Sequence, residues 1–241
     1  HQPWKTVLPG MTMGQWGTHF GRTQTWWEHG GPEWIKYLAR SQFLLQHGKP
    51  VADLLYLDYS RSTPKPIPGF WAETIGVAAF VSRLSVKDEL LVRPNGLSYK
   101  VLVLPNTGVM RGDVAAKLKA LAEGGARIVG PPPTTSPGLA DRERADALVA
   151  SVGQTLWSRY AGQVLNQPIE EAIKTLALEP DLDIVSTDAT SPLLWFHRKS
   201  ETEDIYFVSN QTDLAAKAQV SVADKGRAPE LWDADTGLRE D

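Results

Sequence analysis

"KVLVLPNTGVMRGDVAAKLKALAEGGARIVG", Lys100 to Gly130, reads as strand, helix, strand. Val101 to Leu104 is a short unbroken apolar run of the kind that is buried on both faces of a sheet. Asp113 stands where a capping carboxylate would accept the first helical N–H groups, Val114, Leu118 and Leu121 share one helical face, and Gly124 supplies the stop. Arg127 to Val129 begins the next strand. Two strands joined through a helix run parallel, so this stretch predicts a βαβ unit and a parallel sheet.

The alternation extends outward from this unit. Upstream, "VADLLYLDY" from Val51 reads as a strand, and the apolar stretch around Trp71 to Leu84 as helix-like. Downstream, a helix is expected over roughly Asp141 to Val152 and a short one from Ile169 to Leu176. Beyond these, "LLWFHRK", "DIYFVSNQ", "AQVSVAD" and "PELWDADTG" are strands split by polar turns with no helix between them, the pattern of an opening antiparallel β-sandwich. Near the other end, Pro32 follows Gly30 and Gly31. Trp34, Tyr37, Leu38, Leu44 and Leu45 then recur at helical spacing until Gly48 and Pro50, predicting a helix over Pro32 to His47.

With 241 residues, 42% of them hydrophobic, the chain can fill a sizeable core. A net charge of -3 and the absence of long Lys/Arg runs argue against a nucleic-acid partner. No apolar run approaches the roughly 20 residues of a membrane span, so membrane insertion is not expected. The lack of cysteine removes disulfides, thiolate metal sites and any cysteine nucleophile. The first residue is His1, which leads us to expect a piece of a longer protein, with any signal peptide upstream.

The chemically richest segment is "MTMGQWGTHFGRTQTWWEHG", Met11 to Gly30. Tryptophan faces stack on the C–H surfaces of sugars, while Arg, His and Glu supply directional hydrogen bonds to hydroxyls. His19, Arg22, Trp26, Trp27 and Glu28 are therefore candidate substrate-binding residues; the competing reading is that the tryptophans pack a core. A loop of this kind directly before a helix has the layout of an active-site loop in a (β/α)8 barrel. "LPNTG" (Leu104 to Gly108) and "GPPPTTSPG" (Gly130 to Gly138) follow parallel strands, where open α/β sheets bind ligands. They lack a phosphate-cradling glycine pattern and read as stiff structural loops. Asp53 and Asp58 could be metal or phospho-acceptor carboxylates, or a solvated strand end; His197 reads as an ordinary sheet residue.

Five stretches, "HQPW…PGMTMGQWGTHFGRTQTWWE", "YLARSQFLLQHGKPVADLLYL", "NGLSYKVLVLP", "GGARIVGPPPTTSPGL" and "ELWDADTG", resemble in order the bacterial α-L-rhamnosidases of glycoside hydrolase family 106. β-Galactosidases with a flavodoxin-like domain behind their barrel look similar in the βαβ pieces. The resemblance implies an α/β chain in which residues 1–48 are the end of a catalytic (β/α)8 barrel. Residues 49–185 would then be a flavodoxin-like parallel α/β accessory domain, and residues 186–241 the start of an antiparallel β-sandwich. It implies a bacterial periplasmic or extracellular glycoside hydrolase acting on a rhamnose-containing oligosaccharide or glycan. Its chemistry would be inverting, with two carboxylates and calcium whose ligands lie outside this chain. The catalytic glutamates are expected upstream of His1, so the 241 residues alone would be inactive. Glu28 is the one carboxylate within the aromatic cluster, expected to bind sugar or a neighbouring Arg, with a catalytic role as the lesser reading. The alternatives are a β-galactosidase-like hydrolase and a non-catalytic carbohydrate-binding or interaction module.

Overall fold

The computed structural model describes residues 12–14, 17–19, 25–58, 65–138, 141–186, 193–224 and 226–240. It separates into two compact units, residues 1–48 with 226–241, and residues 49–225. In the first unit, β1 (Thr12–Gly14) and β2 (Gly17–His19) form an antiparallel pair. A single 3-10 turn (Thr25–Trp27) then leads to α1 (Gly31–Gln46). Gly30 takes the left-handed conformation at the helix start (φ 93°), which favours glycine. The expected apolar stripe of Trp34, Tyr37, Leu38, Leu44 and Leu45 is only half-buried, and the buried residues of α1 are Gly31 and Ser41.

The second unit opens with β3 (Lys49–Pro50), β4 (Leu54–Asp58), β5 (Ala72–Gly76) and α2 (Val77–Arg83). Next come β6 (Ser85–Lys87), β7 (Leu90–Val92), β8 (Ser98–Tyr99), β9 (Val101–Val103) and α3 (Gly112–Glu123). They are followed by β10 (Ile128–Val129), α4 (Arg142–Arg159), β11 (Val164–Leu165) and α5 (Ile169–Thr175). Four longer strands complete it: β12 (Leu182–Ser186), β13 (Leu193–Lys199), β14 (Asp204–Asn210) and β15 (Ala218–Val222). The final hairpin, β16 (Leu231–Trp232) and β17 (Arg239–Glu240), belongs to the first unit. Its turn is held to α1 by the Arg40 guanidinium, which donates to the carbonyls of Ala234 (3.2 Å) and Asp235 (2.6 Å).

The expected parallel sheet is present. Its five strands run in the order β11-β10-β9-β4-β5, with Leu54 opposite Val101 and Ile128 opposite Leu102. Because strand side chains alternate, neighbouring apolar residues serve opposite faces. Leu55, Leu57, Leu102, Ile128 and Val164 pack with Phe80, Val114, Leu118, Val149 and Leu156 of α2, α3 and α4. Leu54, Val101, Val103, Val129 and Leu165 pack on the other side with Ile67, Phe70 and the α5 residues Ala172 and Ile173. Each leucine or valine buried in this way contributes about 1.5–3 kcal/mol, so this double-faced core is what holds the unit together. Antiparallel sheets β6-β7-β8, β14-β13-β3 and β12-β15 surround it.

Three local expectations change. Trp71 to Leu84 is not one helix: Ala72–Gly76 pairs in parallel along β4, and only Val77–Arg83 is helical. Pairing with a buried neighbour strand overrides the ambiguous apolar spacing there. Asp113 lies inside the first turn of α3, whose cap residue is Arg111, and its carboxylate accepts from Arg111 Nε (3.0 Å) and the Val114 N–H (2.9 Å). The helix expected to end at Val152 continues to Arg159.

Candidate functional site

In the first unit the aromatic segment is organised around one buried ring. Trp26 is 0% exposed and meets Trp27 edge-on at 5.4 Å and Trp34 edge-on at 6.0 Å. Gly31 makes room for it: a Cβ at that position would lie 2.7 Å from Trp26 Cζ3. Backbone hydrogen bonds from Glu28 N–H to Thr25 O (3.1 Å) and from His29 N–H to Trp26 O (3.2 Å) fix the turn. Trp27 is therefore held half-exposed and perpendicular to a rigid base, with Glu28 exposed beside it in sequence. A fixed indole face next to an acceptor carboxylate is chemically suited to a sugar, the ring for C–H surfaces and the carboxylate for hydroxyls. His19 closes β2. Arg22 lies outside the described residues; the structure packs Trp26 against Trp27 and leaves Glu28 exposed next to them in sequence.

At the C-terminal end of the parallel sheet, the two proline- and glycine-rich loops are zipped to each other. Thr134 and Thr135 N–H donate to Gly108 O (2.8 and 3.1 Å), and Met110 N–H donates to Thr135 O (2.8 Å). Ser136 N–H donates to Asp146 Oδ1 (2.5 Å), and Trp157 Nε1 to Gly130 O (3.1 Å). Their backbone donors are spent on each other, which matches the stiff structural role expected of them.

The second unit also gathers charge at the opposite end of the sheet. Asp53 precedes β4 and is buried; Lys100 Nζ lies 2.7 Å from its Oδ1, while its Oδ2 has no hydrogen-bond partner. Burial pushes the Asp53 carboxyl above its ordinary value, against the opposing effect of Lys100. Nearby, His197 of β13 is 4% exposed and is bracketed by two carboxylates, Asp181 Oδ2 on Nδ1 (2.7 Å) and Asp204 Oδ1 on Nε2 (2.8 Å). Burial alone would raise the Asp204 carboxyl, but hydrogen bonds from His197 and Lys199 hold it below the usual range. Burial, and then Asp181, push the Tyr206 hydroxyl upward. His197 is thus more than an ordinary sheet residue. The register His197↔Tyr206 and Lys199↔Asp204 brings it beside these partners, a pairing that no local spacing in the sequence marks. Asp53 and Lys100 sit just before the starts of β4 and β9, away from the carboxyl ends where open α/β sheets bind ligands. Among the described residues no group of three His, Cys, Asp or Glu side chains is placed to hold a metal ion. No helix among the described residues is long and apolar enough to cross a membrane.

Comparison with known proteins defines the class first. The structure superposes on a rhamnosidase from Novosphingobium sp. PP1Y with a TM-score of 0.82 and 26% identity, covering 95% of this chain and 24% of that one. A protein of Formosa agariphila named "Putative beta-glucuronidase" is 34% identical over 244 residues, covering 98% of this chain and 20% of the relative. Both names are those of glycosidases, and the chain spans about a fifth to a quarter of their length. The chain belongs to the α-L-rhamnosidase family, glycoside hydrolase family 106, whose profile it matches over residues 1–241.

Proposed function

We propose that this chain is part of a glycoside hydrolase that removes terminal α-L-rhamnose from a glycan, and that it contributes a sugar-binding wall and scaffold. The family match along the whole of residues 1–241 carries this reading. His19, Arg22, Trp27 and Glu28 would form the wall, with the buried Trp26 as its rigid backing. Cleavage would proceed with inversion: one carboxylic acid protonates the leaving oxygen, and a carboxylate on the opposite face of the sugar activates water. The two stand about 6.5–9.5 Å apart so that the water fits between them. The chain spans only about a fifth to a quarter of its relatives' length, which supports placing both catalytic glutamates outside these 241 residues. Calcium, if used, would likewise be held by residues outside this chain and supply a fixed positive charge to sugar oxygens.

The domain reading follows the same line. Numbered by sequence, the parallel strands lie in the order 2-1-3-4-5, the order of flavodoxin-like sheets, which supports a flavodoxin-like accessory domain within residues 49–185. Residues 1–48 would close a (β/α)8 barrel and residues 186–241 would open a β-sandwich, although the compact units group residues 226–241 with residues 1–48. A periplasmic or extracellular location in a bacterium suits an enzyme that trims glycans.

The name of the Formosa agariphila relative supports a second reading, hydrolysis of a β-glucuronide. The test is a panel of aryl α-L-rhamnoside, β-glucuronide and β-galactoside offered to the full-length gene product and, in parallel, to the 241-residue chain. The proposal expects rhamnoside cleavage by the first and none by the second. Preference for the glucuronide would favour the second reading, and turnover by the 241 residues alone would place the catalytic pair within them.

A further inference from the structure

The glycosidase reading leaves the buried histidine of the second unit without a role. A neutral imidazole has one N–H and one lone pair, and a carboxylate only accepts. The paired contacts of His197 with Asp181 (2.7 Å) and Asp204 (2.8 Å) place a carboxyl oxygen at hydrogen-bond distance from each ring nitrogen, an arrangement suited to two ring N–H donors. Other groups complete the arrangement. The Tyr206 hydroxyl donates to Asp181 Oδ1 (3.1 Å), and its ring stacks on that of His197 at 4.0 Å between centroids. Lys199 Nζ donates to Asp204 Oδ2 (3.2 Å). Asp53, paired with Lys100, acts on Asp181 through space, and Asp224 acts on Tyr206.

Asp181 is also a backbone node. Its N–H donates to Gly69 O (2.8 Å), in the connection from β4 to β5, and its carbonyl accepts from Ala223 N–H (2.9 Å), just past β15. His197 O accepts from Val51 N–H (3.0 Å), between β3 and β4. Three sheets thus meet at one cluster of ions. The strands it joins differ in what else holds them: the parallel strands lie in the apolar core, whereas His197 is the one buried residue of β13 and β14, whose other ties to the core include the half-buried Trp195 and Phe196 meeting Trp71 edge-on at 5.9 and 5.2 Å.

We propose that Asp181, His197 and Asp204 form a polar clasp fastening the β14-β13-β3 sheet to the connection at Gly69, and that protonating Asp204 with acid lets this sheet open while the parallel sheet stays folded. Regions held by few apolar contacts open first when their polar ties are cut, and a buried charge that loses its partner turns from stabilising to strongly destabilising. The sign follows from Asp204. Its folded-state carboxyl lies below the ordinary value of 3.8, so its contribution is present above that value and lost as pH falls through the folded one.

The experiment combines ring-nitrogen NMR of His197 at neutral pH with amide hydrogen exchange of the 241-residue chain at neutral pH and at about pH 3, corrected for intrinsic rates. The expected result is two ring N–H signals with imidazolium shifts. Protection of β13 and β14 amides should fall by about tenfold or more in acid while Leu102 and Ile128 stay protected. His197→Gln should show low β13 and β14 protection at both pH values. Asp204→Asn, which keeps an oxygen acceptor without the charge, should weaken the acid-induced drop. A single ring N–H at neutral pH, joint loss of protection in both sheets, or wild-type protection in His197→Gln would overturn the proposal.

Discussion

Gly153 lies inside α4, where a glycine ordinarily costs about 1 kcal/mol relative to alanine. On an open helix Gly153→Ala would stabilise the protein. Here the added Cβ would stand 2.4 Å from the carbonyl oxygen of Pro133, 3.3 Å from its Cδ and 3.4 Å from its carbonyl carbon. Reaching ordinary contact with the oxygen requires a shift of about 1 Å. The loop cannot yield it freely, because Thr134, Thr135 and Ser136 are tied by their N–H groups to Gly108 and Asp146. Overpacking of this kind costs about 1–3 kcal/mol, or more where the backbone itself must move. After the gain of about 1 kcal/mol in helix propensity, a net destabilisation of up to about 2 kcal/mol remains, towards the upper end because the contact is with backbone. Urea unfolding followed by far-UV circular dichroism reads it as a lower midpoint at unchanged slope. Gly162→Ala serves as control, since its Cβ would meet nothing within 4 Å. A Gly153→Ala midpoint equal to or above wild type would refute the argument that the α4 glycine exists for the loop.

Two further substitutions test the other close contacts and the buried charge. Gly31→Ala should destabilise the first unit by about 1–3 kcal/mol and alter the near-UV tryptophan dichroism, because its Cβ would press on the buried Trp26 at 2.7 Å; unchanged spectra would argue against the packed turn. For Asp53, burial raises the folded-state carboxyl above its ordinary 3.8, so the stability it contributes is present below that value and lost as pH rises through the folded one. Asp53→Asn should therefore be at least as stable as wild type at neutral pH, with a flatter dependence of stability on pH just above 4; a clear loss on thermal melting at neutral pH would contradict this.

The fold was legible wherever the signal was local. Val101 to Val103, the α3 face of Val114, Leu118 and Leu121, and the stop at Gly124 lie within a single βαβ unit, and the structure follows them closely. Trp71 to Leu84 was not, since β5 becomes a strand only by pairing with β4, a tertiary event that its spacing does not encode. Strands of two or three residues such as β7 and β8 are too short to show a period. Within the candidate aromatic segment, which tryptophan is buried depends on Gly31 meeting one ring face, which no local spacing encodes. The Asp181–His197–Asp204 cluster was hidden because its members are 16 and 7 residues apart and come together only when β12 to β14 fold.

The proposed activity of the full-length protein is inverting hydrolysis of α-L-rhamnosides, with this chain lending part of the sugar wall. The most direct measurement is proton NMR of the first rhamnose released by the full-length gene product from an aryl α-L-rhamnoside, followed before the anomers equilibrate. Inversion predicts that the β-anomer appears first. Initial release of the α-anomer, or no release of rhamnose at all, would contradict the account.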